Sequence, residues 1–444
     1  MPTLQPGLML LIALAGCASY RPLPLGSPQP MPSRAARITI DPREMPLPEL
    51  RDQVFDASNG LGVEELAMLA VVNNPELKLA REDARIKRAQ AFASRLLPDP
   101  QLAATADRPT SSDPSLVTAY NLGLSEDITA LLTYSARRGA AGAEVKSVDL
   151  GLLWQEWQVV TKARLLYVRL TQSQKQLAVL EENRSLFADR YARTKKALDE
   201  GLVTLDAVTP NLTALQDMTR QIHDLERTRN GLAHDLNALL GLAPEANVPL
   251  EGTVELAPLD EQAILAHLGE LPKRRPDLVA LRYGYQAQDE RYRAAILGQF
   301  PTFTLGFTRA RDVSNVPTLG LGITLSLPFF DGNRGKIRVA EATRARLHDE
   351  YAIRIQQADA EIRRLLDEQR INLRQLDEVD RGLAELADAS RKAKAAFAAR
   401  AIDALAFTGL QSSYLAKRIE KISLEQSILE QRVALENLIG RPVP

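Results

Sequence analysis

The chain has 444 residues, with 55 basic against 56 acidic side chains and a formal net charge of −1. That balance offers no basic field for non-specific binding of nucleic acid, so nucleic acid is not an expected partner. Outside the extreme N-terminus no apolar run approaches the ~20 residues of a membrane-spanning helix, so any membrane crossing must be made by strands.

The N-terminal run Leu8 to Gly16 is apolar, ends in small residues and is followed by Cys17, the only cysteine of the chain. A signal peptide is expected over residues 1–16, although Met1 to Gly7 holds no Lys or Arg. A single thiol makes no internal disulfide. Leu14-Ala15-Gly16-Cys17 resembles the bacterial lipobox, which implies cleavage before Cys17 and a lipidated cysteine bearing palmitate-like acyl chains. With Ala18 and Ser19 and no Asp next, the same resemblance implies sorting to the outer membrane of a Gram-negative bacterium. The alternative is an unmodified cysteine in an ordinary signal peptide. Residues 17–60 carry Pro22, Pro24, Pro28, Pro30, Pro32, Pro42, Pro46 and Pro48, which block helix and favour an extended tether.

The remainder is written twice. Asn74-Pro75-Glu76-Leu77 returns about 200 residues later as Arg275-Pro276-Asp277-Leu278, and Leu239-Leu240-Gly241 returns as Leu438-Ile439-Gly440. A first repeat over 61–258 and a second over 259–444 each read helix, strand, strand, long helix, returning helix. The first helix is expected from about Val63 to Leu96 with a break near Pro75, and its counterpart from about Asp260 to Leu297 with a break near Pro276.

Strands are expected at about 101–107, 116–125, 302–309 and 319–327. In Thr302 to Thr308 and in Leu319 to Leu327 one face is Leu, Ile and Phe, and the other is Gly, Thr and Ser. Apolar-out with small-polar-in over about 9–11 residues is the pattern of a transmembrane strand beside an aqueous lumen. Thr302, Thr304, Thr308, Gly320, Gly322, Thr324 and Ser326 are therefore the expected pore lining. The competing reading is a soluble hairpin packed on helices, in a lipid-tethered periplasmic coiled-coil scaffold without a pore. Four strands cannot close a barrel, since the smallest have about eight, whereas three copies supply twelve.

Helical hairpins are expected at 136–241 and 334–440, with heptad seams through Leu166, Leu170, Leu177, Leu180 and Phe187 and through Leu366, Leu373, Leu376 and Leu383. Each rod spans on the order of 100 Å at 1.5 Å per residue. The rods turn at Gly201-Leu202-Val203-Thr204 and at Ala401-Ile402-Asp403, with Thr204 and Asp403 as expected N-caps.

These motifs in this order, with the strand-to-helix passage Leu327 to Lys336 and the turn Gly201 to Val208, resemble the TolC-like family of outer-membrane efflux proteins, in its lipidated branch. The resemblance covers about Leu61 to Pro442. It implies a mainly α fold with a transmembrane β-barrel portion: a homotrimer that shares one 12-stranded β-barrel continuous with a long coiled-coil α-barrel. It further implies an exit duct in contact with outer-membrane lipid, joined through a periplasmic adaptor (membrane fusion protein) to an inner-membrane pump. A type I protein-secretion duct is the other role open to such a chain. By motif, Gly201, Leu202, Val203, Thr204 and Asp206, with Ile402, Asp403 and Phe407 of the second copy, become the adaptor contact or gate. Three copies of Asp206 or Asp403 form a ring of like charge, unless both serve as helix caps or surface carboxylates. Ala404 to Thr408 lacks the acidic pair of the best-known members, which makes Phe407 a candidate hydrophobic plug. No enzymatic constellation appears. His223, His234, His267 and His348 are scattered, no metal ligand set or phosphate loop is present, and no cofactor is expected.

Overall fold

A computed structural model of the chain describes residues 20–26, 31–34, 40–58, 60–252, 256 and 259–440. Cys17 and the signal-peptide reading lie outside these residues, but most of the expected tether is described, and it is not extended throughout: Pro42–Glu44 and Pro48–Arg51 are short helical turns, and Ile40, Met45, Leu47 and Leu50 are buried in the core of the first copy. The first copy holds α1 (Val63–Asn73), α2 (Pro75–Ser94), β1 (Gln101–Asp107), β2 (Ala119–Asp127), α3 (Thr129–Asp199) and α4 (Leu205–Leu239). The second copy opens with the short helices Glu261–Ala266 and Leu271–Arg274. It continues with α5 (Pro276–Leu297), β3 (Thr302–Arg311), β4 (Pro317–Ser326), α6 (Arg334–Ala398) and α7 (Ala404–Ile439).

The bounds depart from expectation in several places, among them β3, which runs to Arg311 and not 309, and the stretch before Pro276, which is broken into short helices. β2 starts at Ala119, so Leu116 and Thr118 belong to the loop before it, where Asp113 accepts from the Ser115 amide and hydroxyl at 2.9 and 2.7 Å. β4 runs from Pro317 to Ser326 and leaves Leu327 outside the ladder. α3 begins at Thr129, immediately after the strand, because the Asp127 carboxylate accepts the Thr129 amide at 2.9 Å and turns the chain into helix at once. Only the apolar period had marked the expected start at 136, and Leu131 and Leu132 there stay exposed.

The duplicated motifs recur together because they touch. Pro75 supplies a fixed φ and no amide hydrogen, which suits the first residue of α2, and Asn74 caps it by accepting the Leu77 amide at 2.8 Å. The Asn74 amide also donates to the Leu239 carbonyl at 2.8 Å, and Asn73 donates to that of Leu240 at 2.7 Å. These bonds close carbonyls that the end of α4 leaves open. Gly241 passes so near that a Cβ there would stand 2.5 Å from the Asn73 carbonyl oxygen. In the second copy Gly440 takes the same place beside Arg275. Arg275 and Asp277, both buried, pair at 2.9 and 2.6 Å, and the guanidinium stacks 5.0 Å from the Trp154 ring.

Around each junction lies an equivalent core. Leu66, Leu77, Val160, Tyr167 and Leu240 pack in the first copy; Ile264, Leu278, Ile362, Leu366 and Ile439 pack in the second. A third cluster joins the copies lower down, where Leu177, Leu180 and Phe187 of α3 meet Met218 and Ile222 of α4 and Leu415 of α7. The helices form one layer in the order α4, α3, α7, α6, with α2 and α5 laid along the upper part of α3. Ion pairs cross most of these seams: Arg81 to Glu156, Arg164 to Glu64 and Glu436, Arg169 to Glu430, Arg418 to Glu182 and Lys421 to Asp380. Burial acts to raise the Glu430 carboxyl, but bonds from Arg169 and Gln426 hold it below the usual range. Its contribution is therefore present at neutral pH and lost as acid protonates it.

All four strands form one antiparallel sheet in the order β1-β2-β3-β4. The join between copies is the β2–β3 ladder, Tyr120 opposite Arg311 through Asp127 opposite Thr304. Replacing Asn74 by Ala removes the α2 cap and the bond to Leu239, and should weaken this junction by about 2 kcal/mol. Amide exchange at Leu77 and Lys78 should quicken correspondingly, with Asn74→Asp, which retains only the acceptor, in between. Unchanged exchange in Asn74→Ala would contradict this account.

Candidate channel wall and gate

Because directly paired residues of a sheet share a face, the register sorts every strand side chain. Thr302 lies opposite Ser326, Thr304 opposite Thr324 and Thr308 opposite Gly320, while Gly306 pairs with Gly322. All seven residues expected to line a pore thus stand on one face. β2 extends that face with Asn121, Gly123, Ser125 and Asp127, and β1 with Gln101, Ala103, Thr105 and Asp107. Sequence reading did not assign these first-copy residues, since the alanines of β1 fall on both faces and blur its period. The tightest point is Gly320, where a Cβ would stand 2.8 Å from the Thr308 hydroxyl and that side chain would have to turn aside.

The opposite face is Leu102 on β1, Leu122 and Leu124 on β2, Phe303, Leu305 and Phe307 on β3, and Leu319, Leu321, Ile323 and Leu325 on β4. Most of it is exposed, with Phe303 partly buried near the start of α3. Leu319 and Leu321 are 69% and 72% exposed. A soluble hairpin is expected to bury such a stripe against the helices, which this sheet does not do at Leu319 and Leu321. Both outer strands, β1 and β4, have one unpaired edge.

At the far end of the rods the two turns share one geometry. After α3, the Leu202 amide donates to Ala197 O at 2.8 Å and that of Gly201 to Leu198 O at 2.9 Å, with Gly201 at φ +70°. After α6, Ala401 donates to Ala396 O at 2.8 Å and Arg400 to Phe397 O at 3.0 Å. Arg400 holds φ +61° without glycine's freedom. Asp403 caps α7 by accepting the Ala406 amide at 2.7 Å. Thr204 occupies the cap position of α4, but its hydroxyl makes no capping bond. Asp206 is exposed in the first turn of α4, Val203 and Ile402 are half-buried, and Leu202, Leu205 and Leu405 are 72%, 65% and 68% exposed. Leu205 and Leu405 were missed because the first turn of an amphipathic helix gives no sign of which leucine faces out.

Phe407 is not a plug. It is 1% exposed, packed 5.1 Å from the Phe397 ring and covered by the Arg190 guanidinium at 3.7 Å from its centroid. Burial lowers the pKa of Arg190 from the usual arginine value, opposed by Asp189. The cluster ties α3 of the first copy to both helices of the second just above the tip. A single strand of sequence could not reveal this, since its three members come from three helices. Gly201→Ala forces a Cβ into a left-handed site and should cost about 1 kcal/mol, seen as roughly fivefold faster amide exchange around Leu202. Arg400→Gly should slow exchange around Ala401 instead; the reverse order would refute the shared geometry.

Residues 268–441 match the family described as outer membrane efflux protein. No curated protein matches the chain in sequence. Among solved structures, a membrane protein from Pseudomonas aeruginosa is similar at a TM-score of 0.75 and 20% identity, covering 92% of this chain and 96% of that one. The outer membrane protein VceC from Vibrio cholerae is similar at a TM-score of 0.71 and 18% identity, covering 86% and 96%. The CmeC outer membrane channel of Campylobacter jejuni gives a TM-score of 0.71 at 15% identity, over 96% and 95%. The second copy thus matches the outer membrane efflux protein family, and nearly the whole chain has the fold of these solved outer membrane proteins.

Proposed function

We propose that the protein is the outer-membrane exit duct of a tripartite efflux system and works as a homotrimer. The observation that carries this reading is the four-stranded sheet with a bare apolar face, a small-polar face and two open edges. In lipid an unpaired backbone edge is costly, so β4 of one chain pairs with β1 of the next, and three copies close one barrel of twelve strands. Leu, Ile and Phe then face lipid, and Thr302, Thr304, Thr308, Gly320, Gly322, Thr324 and Ser326 face the lumen. The helical flanks α4 and α6 close in the same sense, which extends the duct into the periplasm. In this reading residues 1–16 are removed, Cys17 carries the lipid, the tether of 17–60 is free only up to the segment that buries Met45, Leu47 and Leu50, and the two repeats over 61–258 and 259–444 each build half of a protomer's wall.

The protein has no energy source in this role and no catalytic residue. Cargo is driven by an inner-membrane pump through a periplasmic adaptor. The adaptor docks at the helix tips, where Gly201 to Thr204 and Ile402 form the groove and exposed Leu202, Leu205 and Leu405 supply apolar contact. Asp206 and Asp403 set the charge at the mouth. The tripartite names come from the family; what supports them here is the bare tip, since exposed leucines at the end of a rod call for a partner.

The full-length protein in detergent should run as a heat-modifiable trimer and give stepwise ion conductance in planar bilayers. A water-soluble monomer, obtained without detergent after Cys17→Ala, would overturn the channel reading.

A further inference from the structure

The outward sheet face carries three charged residues, and two of them sit together. Arg309 lies opposite Leu319 and Leu122, and Arg311 lies opposite Pro317 and Tyr120. Both point to the face that bears Phe303, Leu305 and Phe307. The third, Glu126, is opposite Leu305, lower on the sheet. From Leu319 to Leu327 the apolar stripe measures about 21 Å along the membrane normal for strands tilted by ~40°, close to the ~25 Å band of outer-membrane barrels. Arg309 is thus in the top row of that band and Arg311 just above it.

No carboxylate neutralises this pair. Arg309 has no hydrogen bond or ion pair among the described residues. Arg311 donates through Nη2 to the Thr118 carbonyl at 3.1 Å and stacks 5.3 Å from the Tyr120 ring, while its Nε is buried without a partner. Two acids of the adjoining loops bond within their own loops. Asp312 accepts the Ser314 and Val316 amides, both at 2.9 Å, and Asp113 is held by Ser115. β3 is interior to the sheet, and in the trimer proposed above neighbouring strands add only at β1 and β4.

We propose that Arg309 and Arg311 bind the phosphate group of a phosphorylated lipid in the outer leaflet. This rests on the outer-membrane reading above, which puts the hairpin ends outside and the helices in the periplasm. Two adjacent guanidiniums at the rim of an apolar band, one oriented by an aromatic ring, suit a phosphate held at headgroup depth by acyl chains lying along Leu319, Leu321 and Phe307. Threefold assembly gives three such sites around the barrel.

The test uses the full-length trimer in mixed micelles with a phosphorylated glycolipid or its dephosphorylated form, reading retained lipid per trimer by native mass spectrometry. The wild type should retain the phosphorylated form about tenfold better, and R309Q/R311Q should lose that preference. E126Q, on the same face, should keep it. If the double variant fails to assemble, R309Q alone, whose side chain has no protein partner, should lower the preference. Equal retention of both lipids by the wild type, or an unchanged preference in the variants, overturns the proposal. So does thermal stabilisation by inorganic phosphate as large as that by the lipid, which would mark a free-anion site. Absence of a heat-modifiable trimer in the wild type would overturn the channel reading itself, and a trimer without lipid preference only this site.

Discussion

Everything in this protein follows from the backbone pairing of β2 with β3. In lipid a strand survives only if its amides and carbonyls find partners within protein. That one ladder places the two copies side by side, and leaves two unpaired edges that belong to different copies, β1 and β4. The helices repeat the arrangement, with α3 and α7 at the centre and α4 and α6 at the flanks. In the proposed trimer a single chain is a segment of a wall, and its open edges and apolar stripe are met by neighbouring copies and by lipid.

Duplication is kept where it does structural work and relaxed elsewhere. In both copies the helix that begins at proline packs on the end of the returning helix, through Asn73 and Asn74 in one and through Arg275 in the other. The chemistry differs while the contact is retained: amide bonds to open carbonyls in the first, a buried guanidinium–carboxylate pair in the second. At the rod tips the hydrogen bonds are conserved in form, but Gly201 is answered by Arg400. Breaking that symmetry gives each chain two unlike tips.

The faces of the strands were legible in sequence because side-chain alternation needs no long-range information. Thr302 to Thr308 and Leu319 to Leu327 state their own period, and the register placed all seven lumen candidates together. The weaker β1, with Ala103, Ala104 and Ala106, does not, and only pairing with β2 sorts it. Helix tips were legible as turns, through Gly201 and Asp403, but not as surfaces. Phe407 looks in sequence like an exposed aromatic of a first turn, and its burial depends on Arg190, some 200 residues earlier. Likewise the early start of α3 turned on one local bond from Asp127 that hydrophobic periodicity cannot register.

The most direct test is whether the open edges meet. Cysteines introduced in pairs, one on β1 and one on β4, lie on opposite edges of a protomer's sheet, about 14 Å apart at three strand spacings, and cannot join within a chain. Oxidation in the membrane should give covalent dimers and then a covalent trimer as the limiting species. Chains that remain monomeric, or that link into ladders beyond three, would contradict the closed three-chain barrel.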